Sequence, residues 1–577
     1  MSTETLYRLM PEMTLVAAAT LIYLGGVFVT ARGAWSTIAV VGIVAAGGML
    51  FGQYEQLFQL DMTAIGQALQ PALDVPVANP LAVDLFSQYV RWLALVVGFA
   101  LVLMSSQLAR DVQVPEYVGS VLLAVVGLML VAAARELVLL FVGLELISIP
   151  TYVLLYLGRR NVDSQEATAK YFFLSILSSA VMLYGFSFLY GAAGSTELVA
   201  IRDALAGLDE NAGMAWFARL ALVLIFAGLS FKVTAVPFHF YAPDVYQGTT
   251  AGNAALLSVV PKVAGLVALV RIVVASMPGF ATYAWQIALV LALLTMTLGN
   301  LVALWQDNVR RLLAYSSIAH GGYMLIGLAV ACVGGERIHV AAGFDGIAAL
   351  LFYAAAYALA TTGCFAVLVY LGGREGSIDK VDQLAGVGRT HPWAGLSMAV
   401  CLFSLTGIPP LAGFWGKLNL LAGALSLRPR DEEVVAVRMW FVALAAIAVV
   451  NAAIAASYYL RLVGIMYFRE AEGEPRRPGT AGAGMAMILC AALVVMAGVM
   501  PGMLERGANA AGESVRMPST VPAVDTAQPS DEADDRFRWE VGKRAERARP
   551  MRIQAKPPPP NADSARLVGS GTAGAWR

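Results

Sequence analysis

Lys232 stands inside the apolar run Leu220–Pro237, Glu145 inside Leu137–Pro150, Lys262 directly after Pro261 in a third run, and Lys417 in a fourth. An ionisable group at bilayer depth costs roughly 2.5–3.5 kcal/mol on insertion scales, so a chain that keeps four of them has a use for them. Burial disfavours the charged form of a lysine, and a nearby carboxylate restores it. A Glu–Lys pair on neighbouring helices therefore holds or releases a proton according to how close the two stand. Strung along the membrane plane with water between them, Glu145, Lys232, Lys262 and Lys417 read as a proton relay. The competing reading of each is a structural ion pair, or a side chain that snorkels to the interface.

Three further residues are candidates for the same path. His320, in Ser316-Ser-Ile-Ala-His320, lies well inside an apolar span with no break. A histidine can pass a proton through its two ring nitrogens, although a hydrogen-bonded core histidine has the same sequence appearance. His239 lies between Phe238 and Phe240 in a proline-interrupted segment, where it could open a path to one surface or bond freed carbonyls. Lys170, near the start of another span, marks a possible cytoplasmic entrance, with snorkelling as the default at a helix end. Asp244 and Tyr246 read as caps, and Asp307 with Arg310-Arg311 as an interfacial anchor.

The elements that must carry these groups follow from composition. The chain has 577 residues, 59% hydrophobic and only 14% charged, with a mean hydropathy of +0.69. Soluble domains are nearer a quarter charged. The apolar residues fall in runs of about 20, the length a helix needs to cross ~30 Å of hydrocarbon. The chain is an all-α polytopic membrane protein, and the alternating ten-residue pattern of a membrane barrel is absent. Fourteen spans are expected near 10–30, 35–52, 84–107, 116–134, 137–157, 166–192, 214–240, 252–276, 284–305, 311–332, 341–371, 393–425, 435–467 and 481–501. The N-terminus lacks the pattern of a cleaved signal or transit peptide, so the first span is expected to stay as a helix. Cys332, Cys364, Cys401 and Cys490 fall singly in apolar runs and read as small buried residues, not ligands. No Walker A, GxGxxG, HExxH or GxSxG motif is present, so ATP, NADH and hydrolytic chemistry are not expected on this chain.

Arg32, Arg110, Arg159-Arg160, Arg310-Arg311, Arg374, Lys380, Arg389, Arg469 and Arg476-Arg477 lie in one set of connections. Their excess over the opposite set places them in the cytoplasm and both termini outside. Two spans are interrupted, the seventh at Val236-Pro-Phe-His-Phe-Tyr-Ala-Pro243 and the twelfth at Thr406-Gly-Ile-Pro-Pro410. Such breaks are tolerated in a bilayer only inside protein or beside a wet cavity, and paired breaks point to an inverted-repeat transporter. A faint repeat agrees: Glu145–Tyr152 can be laid on Ser316–Tyr323, and nearly the same offset brings Pro237 onto Pro409. The expected organisation is helices 1–3 in residues 1–112, one five-helix repeat (spans 4–8) in 113–280, and a second, inverted one (spans 9–13) in 281–470. Helix 14 follows in 471–502, and a polar, disordered tail in 503–577.

At these residues the chain resembles a known family. Phe231-Lys-Val-Thr-Ala-Val-Pro-Phe-His-Phe-Tyr-Ala-Pro-Asp-Val-Tyr-Gln-Gly248 and Gly143-Leu-Glu-Leu-Ile-Ser-Ile-Pro-Thr-Tyr-Val-Leu154 are similar to signatures of the antiporter-like subunits of respiratory complex I. Those subunits share ancestry with multi-subunit Na⁺/H⁺ antiporters. The Val-Tyr-Gln-Gly ending and a lysine at position 417 resemble the subunit N branch. The resemblance covers roughly residues 80–470, and the long tail departs from it. It implies a proton-translocating subunit of NADH–quinone oxidoreductase in a bacterial inner membrane, beside a neighbouring antiporter-like subunit, small membrane subunits and lipids, with no nucleic acid. Glu145 and Lys232 would be coupled partners, Lys262 the central relay and Lys417 the link to the exit. The chain itself would bind no cofactor; NADH, FMN, iron–sulfur clusters and quinone would sit on other subunits. A cation/proton antiporter without redox partners is the alternative.

Overall fold

The computed structural model describes residues 3–29, 32–55, 80–105, 114–158, 161–208, 213–333, 338–339, 345–373, 377–429, 435–471 and 479–516. The chain divides into Met1–Pro518 and Ser519–Arg577, and the described residues all belong to the first unit. The expected tail lies outside the described residues from 517 onward.

Thirteen described helices are long and apolar enough to cross a membrane. The twelfth span completes fourteen as two half-helices, Pro392–Thr406 and Ala412–Leu425. Each expected span is thus helical, the seventh and twelfth with the breaks that the prolines imply. Side-chain caps set several starts: Asp84 closes a capping box on the third span, and Asn161, Thr250 and Asp345 accept from the first turn of the sixth, eighth and eleventh.

Contacts between connections follow the alternation of a polytopic chain. Leu81 bridges Ala134, and Glu136 bridges Glu197, joining the connections that follow spans 2, 4 and 6. A two-residue antiparallel pairing, Ile338–His339 with Arg428–Pro429, joins those after spans 10 and 12. On the other face Asn308 bridges Lys380, joining the connections after spans 9 and 11. Spans 4–8 and 9–13 each hold five members, an odd number, so the second set enters from the opposite face. Each set carries its broken helix fourth, and each break contains one cis X–Pro bond.

Spans 8, 10 and 11 are buried along nearly their whole length and form the core. The first, second and thirteenth present apolar flanks such as Leu24, Val41 and Val449. In lipid, packing and small residues draw helices together. Spans 9 and 10 show this at Gly322, where an added Cβ would lie 2.5 Å from the Met296 backbone nitrogen. Buried polar contacts fix the register. Arg271 holds Asp84 in a two-pronged pair at 2.6 and 2.7 Å and also donates to the Ala132 carbonyl. Asn300, Asn451, Thr297 and Tyr458 bond spans 9 and 13 to one another.

Three expectations are corrected. Arg310 is not an interfacial anchor: it is 1% exposed, donates to the Thr249 carbonyl and pairs with Asp379 at 2.6 Å. Asp244 forms ion pairs with Lys170 and Arg311 and caps nothing through its side chain. Residues 503–516, expected in the tail, continue a helix from Pro501 to Arg516. Its small side buries Ala508, Ala511 and Gly512, and Arg516 pairs with Asp345 at 2.7 Å.

Candidate functional site

The helix of the seventh span ends at Val233, one residue past Lys232, where Thr234 takes a positive φ of 64°. The groups this break frees are collected by neighbours. The Phe231 carbonyl accepts from Tyr241 Oη at 3.0 Å, and the Val236 amide donates to Thr295 Oγ1 at 3.0 Å.

Lys232 and Glu145 are joined through serines one helical turn apart. Lys232 Nζ donates to Ser148 Oγ at 2.6 Å and Ser175 Oγ at 3.1 Å. Glu145 Oε1 accepts from Ser179 Oγ at 2.5 Å. Ser148 lies one turn beyond Glu145 on the fifth span, and Ser175 one turn before Ser179 on the sixth. The acid and the base thus bond to neighbouring serines, and among the described residues they form no direct ion pair. Lys232 is buried, whereas Glu145 is half-buried beside the exposed Val142 and Ile149.

The seventh and eighth spans meet where Lys232 Cβ approaches Gly265, at 3.1 Å from the position a Cβ would take there. Lys262, one turn before Gly265, is 0% exposed. Its Nζ donates to the carbonyl and hydroxyl of Ser317 and lies 5.2 Å from the centre of the Tyr357 ring. Tyr357 Oη bonds Ser317 Oγ at 2.7 Å and donates to the Ser258 carbonyl. Between Lys232 and Lys262 the described residues form no continuous chain of hydrogen bonds.

His320 comes next. Its Nδ1 pairs with Tyr353 Oη at 2.6 Å and its Nε2 with Tyr459 Oη at 2.9 Å, and Tyr459 Oη also bonds Ser316. Tyr353 packs edge-on against Tyr323, and Lys417 Nζ stands 5.0 Å from the Tyr323 ring centre. Lys417 donates to the carbonyls of Leu405 and Thr406, freed where the twelfth helix breaks. A cation there also meets the negative end of a helix dipole. Gly407, at φ 93°, turns the chain, and a Cβ on Gly413 would lie 1.8 Å from the Ser404 carbonyl oxygen.

Glu145, Lys232, Lys262, His320 and Lys417 therefore follow one another through both five-span sets as a series of polar groups, interrupted between Lys232 and Lys262. His239 is off it: the ring is half-buried beside the exposed Phe240, and its Nδ1 has no hydrogen-bond partner among the described residues. Lys170 lies at a face of the molecule, bonded to Glu166 at 2.6 Å and Asp244 at 2.9 Å. The hydroxyl residues of this series carry no local sequence mark of their role. Ser316, Ser317 and His320, and Tyr353 with Tyr357, recur at helical spacing, which is the one signal that could have marked them. Three of the cysteines, Cys364, Cys401 and Cys490, converge around Gly363 as buried free thiols.

The family model for the transmembrane region of NADH:quinone oxidoreductase/Mrp antiporter subunits matches residues 134–445, which contain all seven candidate residues. NADH-quinone oxidoreductase subunit N of Rhodospirillum rubrum is 34% identical over 516 residues, covering 88% of this chain and 97% of the relative. The chain belongs to the subunit N family of NADH–quinone oxidoreductases. A chain of respiratory complex I from Thermus thermophilus matches this subunit N family member with a TM-score of 0.68 and 31% identity, covering 87% of this chain and 99% of that one. A chain of the Mrp complex from a Dietzia species shares the fold, with a TM-score of 0.70 at 20% identity, covering 90% of this chain and 98% of that one.

Proposed function

We propose that this chain is the proton-translocating subunit N of a bacterial NADH–quinone oxidoreductase, set in the inner membrane with both termini outside. The observation that carries the reading is the succession from the half-buried Glu145 through the buried Lys232, Lys262, His320 and Lys417, with hydroxyls and phenols on both sides of the central Lys262. Quinone reduction on other subunits, which hold NADH, FMN, iron–sulfur clusters and quinone, supplies the drive.

Glu145 receives an electrostatic change from a neighbouring antiporter-like subunit, in keeping with its half-buried place on the flank. The serines between the fifth and sixth spans carry that change to Lys232. Lys262 exchanges protons with Ser317 and the tyrosine–histidine cluster, and Lys417 hands them to the outer side. Water completes the step between Lys232 and Lys262. Lys170 and its acidic partners form a cytoplasmic entrance, and His239 a lateral one.

The test is to tag the chain, extract it gently from its native membrane and identify what copurifies. Iron–sulfur subunits with NADH–quinone reductase activity are expected. A set of small membrane subunits without a redox protein would move the chain to the cation/proton antiporters, a reading that the fold shared with the Mrp complex keeps specific.

A further inference from the structure

Glu12 is the only fully buried carboxylate among the described residues, at 2% exposure, and it lies far from the lysine series in sequence, on the first span. Pro11 precedes it inside the helix and has no N–H to offer the carbonyl of Tyr7. Gln53 of the second span takes that carbonyl at 2.7 Å. Arg91 of the third span, 0% exposed on its side chain, stands 2.7 Å from Glu12 Oε1 and donates to the Arg8 carbonyl at 3.2 Å. Gln53 also reaches that carbonyl, at 3.4 Å, so three spans converge on the first turns of the helix.

The convergence leaves polar atoms over. Glu12 Oε2, Gln53 Oε1, Gln88 Oε1 and Arg91 Nε and Nη1 are buried without hydrogen-bond partners among the described residues. Gln88 lies one turn before Arg91 on the same helix. The surplus includes both donors and acceptors, and this decides what fits. A cation would meet the Arg91 guanidinium, and an anion would meet Glu12 and the amide oxygens. Water both donates and accepts, and buried water typically satisfies such groups. Glu12 is seven residues from the start of its span at Thr5, a depth of about 10 Å at 1.5 Å per residue. Arg91 lies at a similar depth from the same face, since both spans are odd-numbered.

We propose that spans 1–3 hold a second hydrated acid–base site, in which Glu12, faced by Arg91, exchanges protons through bound water with the aqueous phase on the N-terminal side. Arg91 is the charge opposite Glu12; Arg8 stands one turn earlier on its own helix, and span 2 contributes the neutral Gln53. The site is one helix from the lysine series. Tyr89, next to Gln88, donates to the Leu351 carbonyl, two residues before Tyr353.

The test uses the whole assembly that contains this chain, imaged at a resolution that shows water and reconstituted in liposomes. Ordered water bridging Glu12 Oε2 to Gln53, Gln88 or Arg91 is expected. A dry cluster in which these side chains pair directly would overturn the site. Glu12→Gln is expected to lower the protons moved per NADH oxidised at least twofold, and Glu12→Asp to restore them. Because Glu12→Gln leaves Arg91 without its partner, the neutral pair Glu12→Gln/Arg91→Gln is measured beside it. Assembled variants that pump at the unmodified ratio would overturn the proton-exchanging role. An unmodified assembly that moves no protons would instead count against the function proposed above, leaving the water test to stand alone.

Discussion

Replacing Lys262 with Met separates a structural cation from a working one. The side chain is wholly buried, and among the described residues its ammonium is held by Ser317 and the face of Tyr357. Removing it forfeits two charged hydrogen bonds, at about 1.5–3 kcal/mol each. It also removes the desolvation cost of a buried ion, itself several kcal/mol. Breaking a true buried ion pair costs about 3–5 kcal/mol because it strands the opposite charge. No carboxylate pairs with Lys262 among the described residues, so the two terms nearly cancel, to within about 2 kcal/mol. Assembly, read on native gels and by thermal inactivation of the quinone reductase, should therefore stay close to that of the unmodified chain. Transport should not. Without a carrier between the serines at Lys232 and the His320 cluster, a proton must cross as an unsupported charge, at about 2.5–3.5 kcal/mol. At about 1.4 kcal/mol per decade, that slows the step by roughly two orders of magnitude. The assay is dye-reported acidification of liposomes carrying the whole assembly, normalised to NADH oxidation. A Lys262→Met assembly that pumps at the normal rate, or that fails to form, would refute the reasoning.

Three other outcomes follow from the same geometry. Ser148→Ala with Ser175→Ala removes both partners of the Lys232 ammonium; a partial loss of pumping with intact assembly is expected, and an unchanged pumping rate would show these serines are not used. Gly413→Ala places a methyl 1.8 Å from the Ser404 carbonyl oxygen. Overpacking costs about 1–3 kcal/mol and can exceed that against backbone, so the yield of assembled protein should fall sharply, and a normal yield would count against this packing of the break. Lys170→Ala removes side-chain pairs that are 39% exposed on the lysine. Such pairs contribute about 0–1 kcal/mol, so the melting temperature should hardly move, and a large drop would mean that Lys170 anchors the fold.

The sequence disclosed the charged members of the series because an ion in an apolar run has few innocent explanations. It hid the rest because serine and tyrosine are ordinary in such runs. Ser148 and Thr151 each donate to a carbonyl one turn back, as hydroxyls in membrane helices commonly do, and nothing local says that Ser148 also accepts from Lys232. Tyr353 and Tyr357 sit in an Ala-rich stretch that reads as core. Arg310 misleads for a different reason. It stands at a helix start beside Arg311, where anchors are common, and only the tertiary approach of Thr249 and Asp379 buries it. The helix at Pro501–Arg516 was lost in a polar composition, because its buried side is built from alanine and glycine. Span lengths and both breaks were legible, since apolar run length and proline are local signals. His239 was legible as a residue and not as a position, because the break turns it toward the flank.

The odd number of spans in each five-helix set has a consequence for direction. On the function proposed above, five spans that re-enter from the other face would offer two proton paths of like design with their mouths opposed. Two like sets entering from opposite faces would, taken together, have no preferred direction. The bias would then come from where the sets differ. The first set has Glu145 on its flank, open to influence from a neighbour, whereas the second reaches its buried end at Lys417 through neutral phenols and an imidazole. On that proposal, the direction of transport would rest on the differences between the two sets.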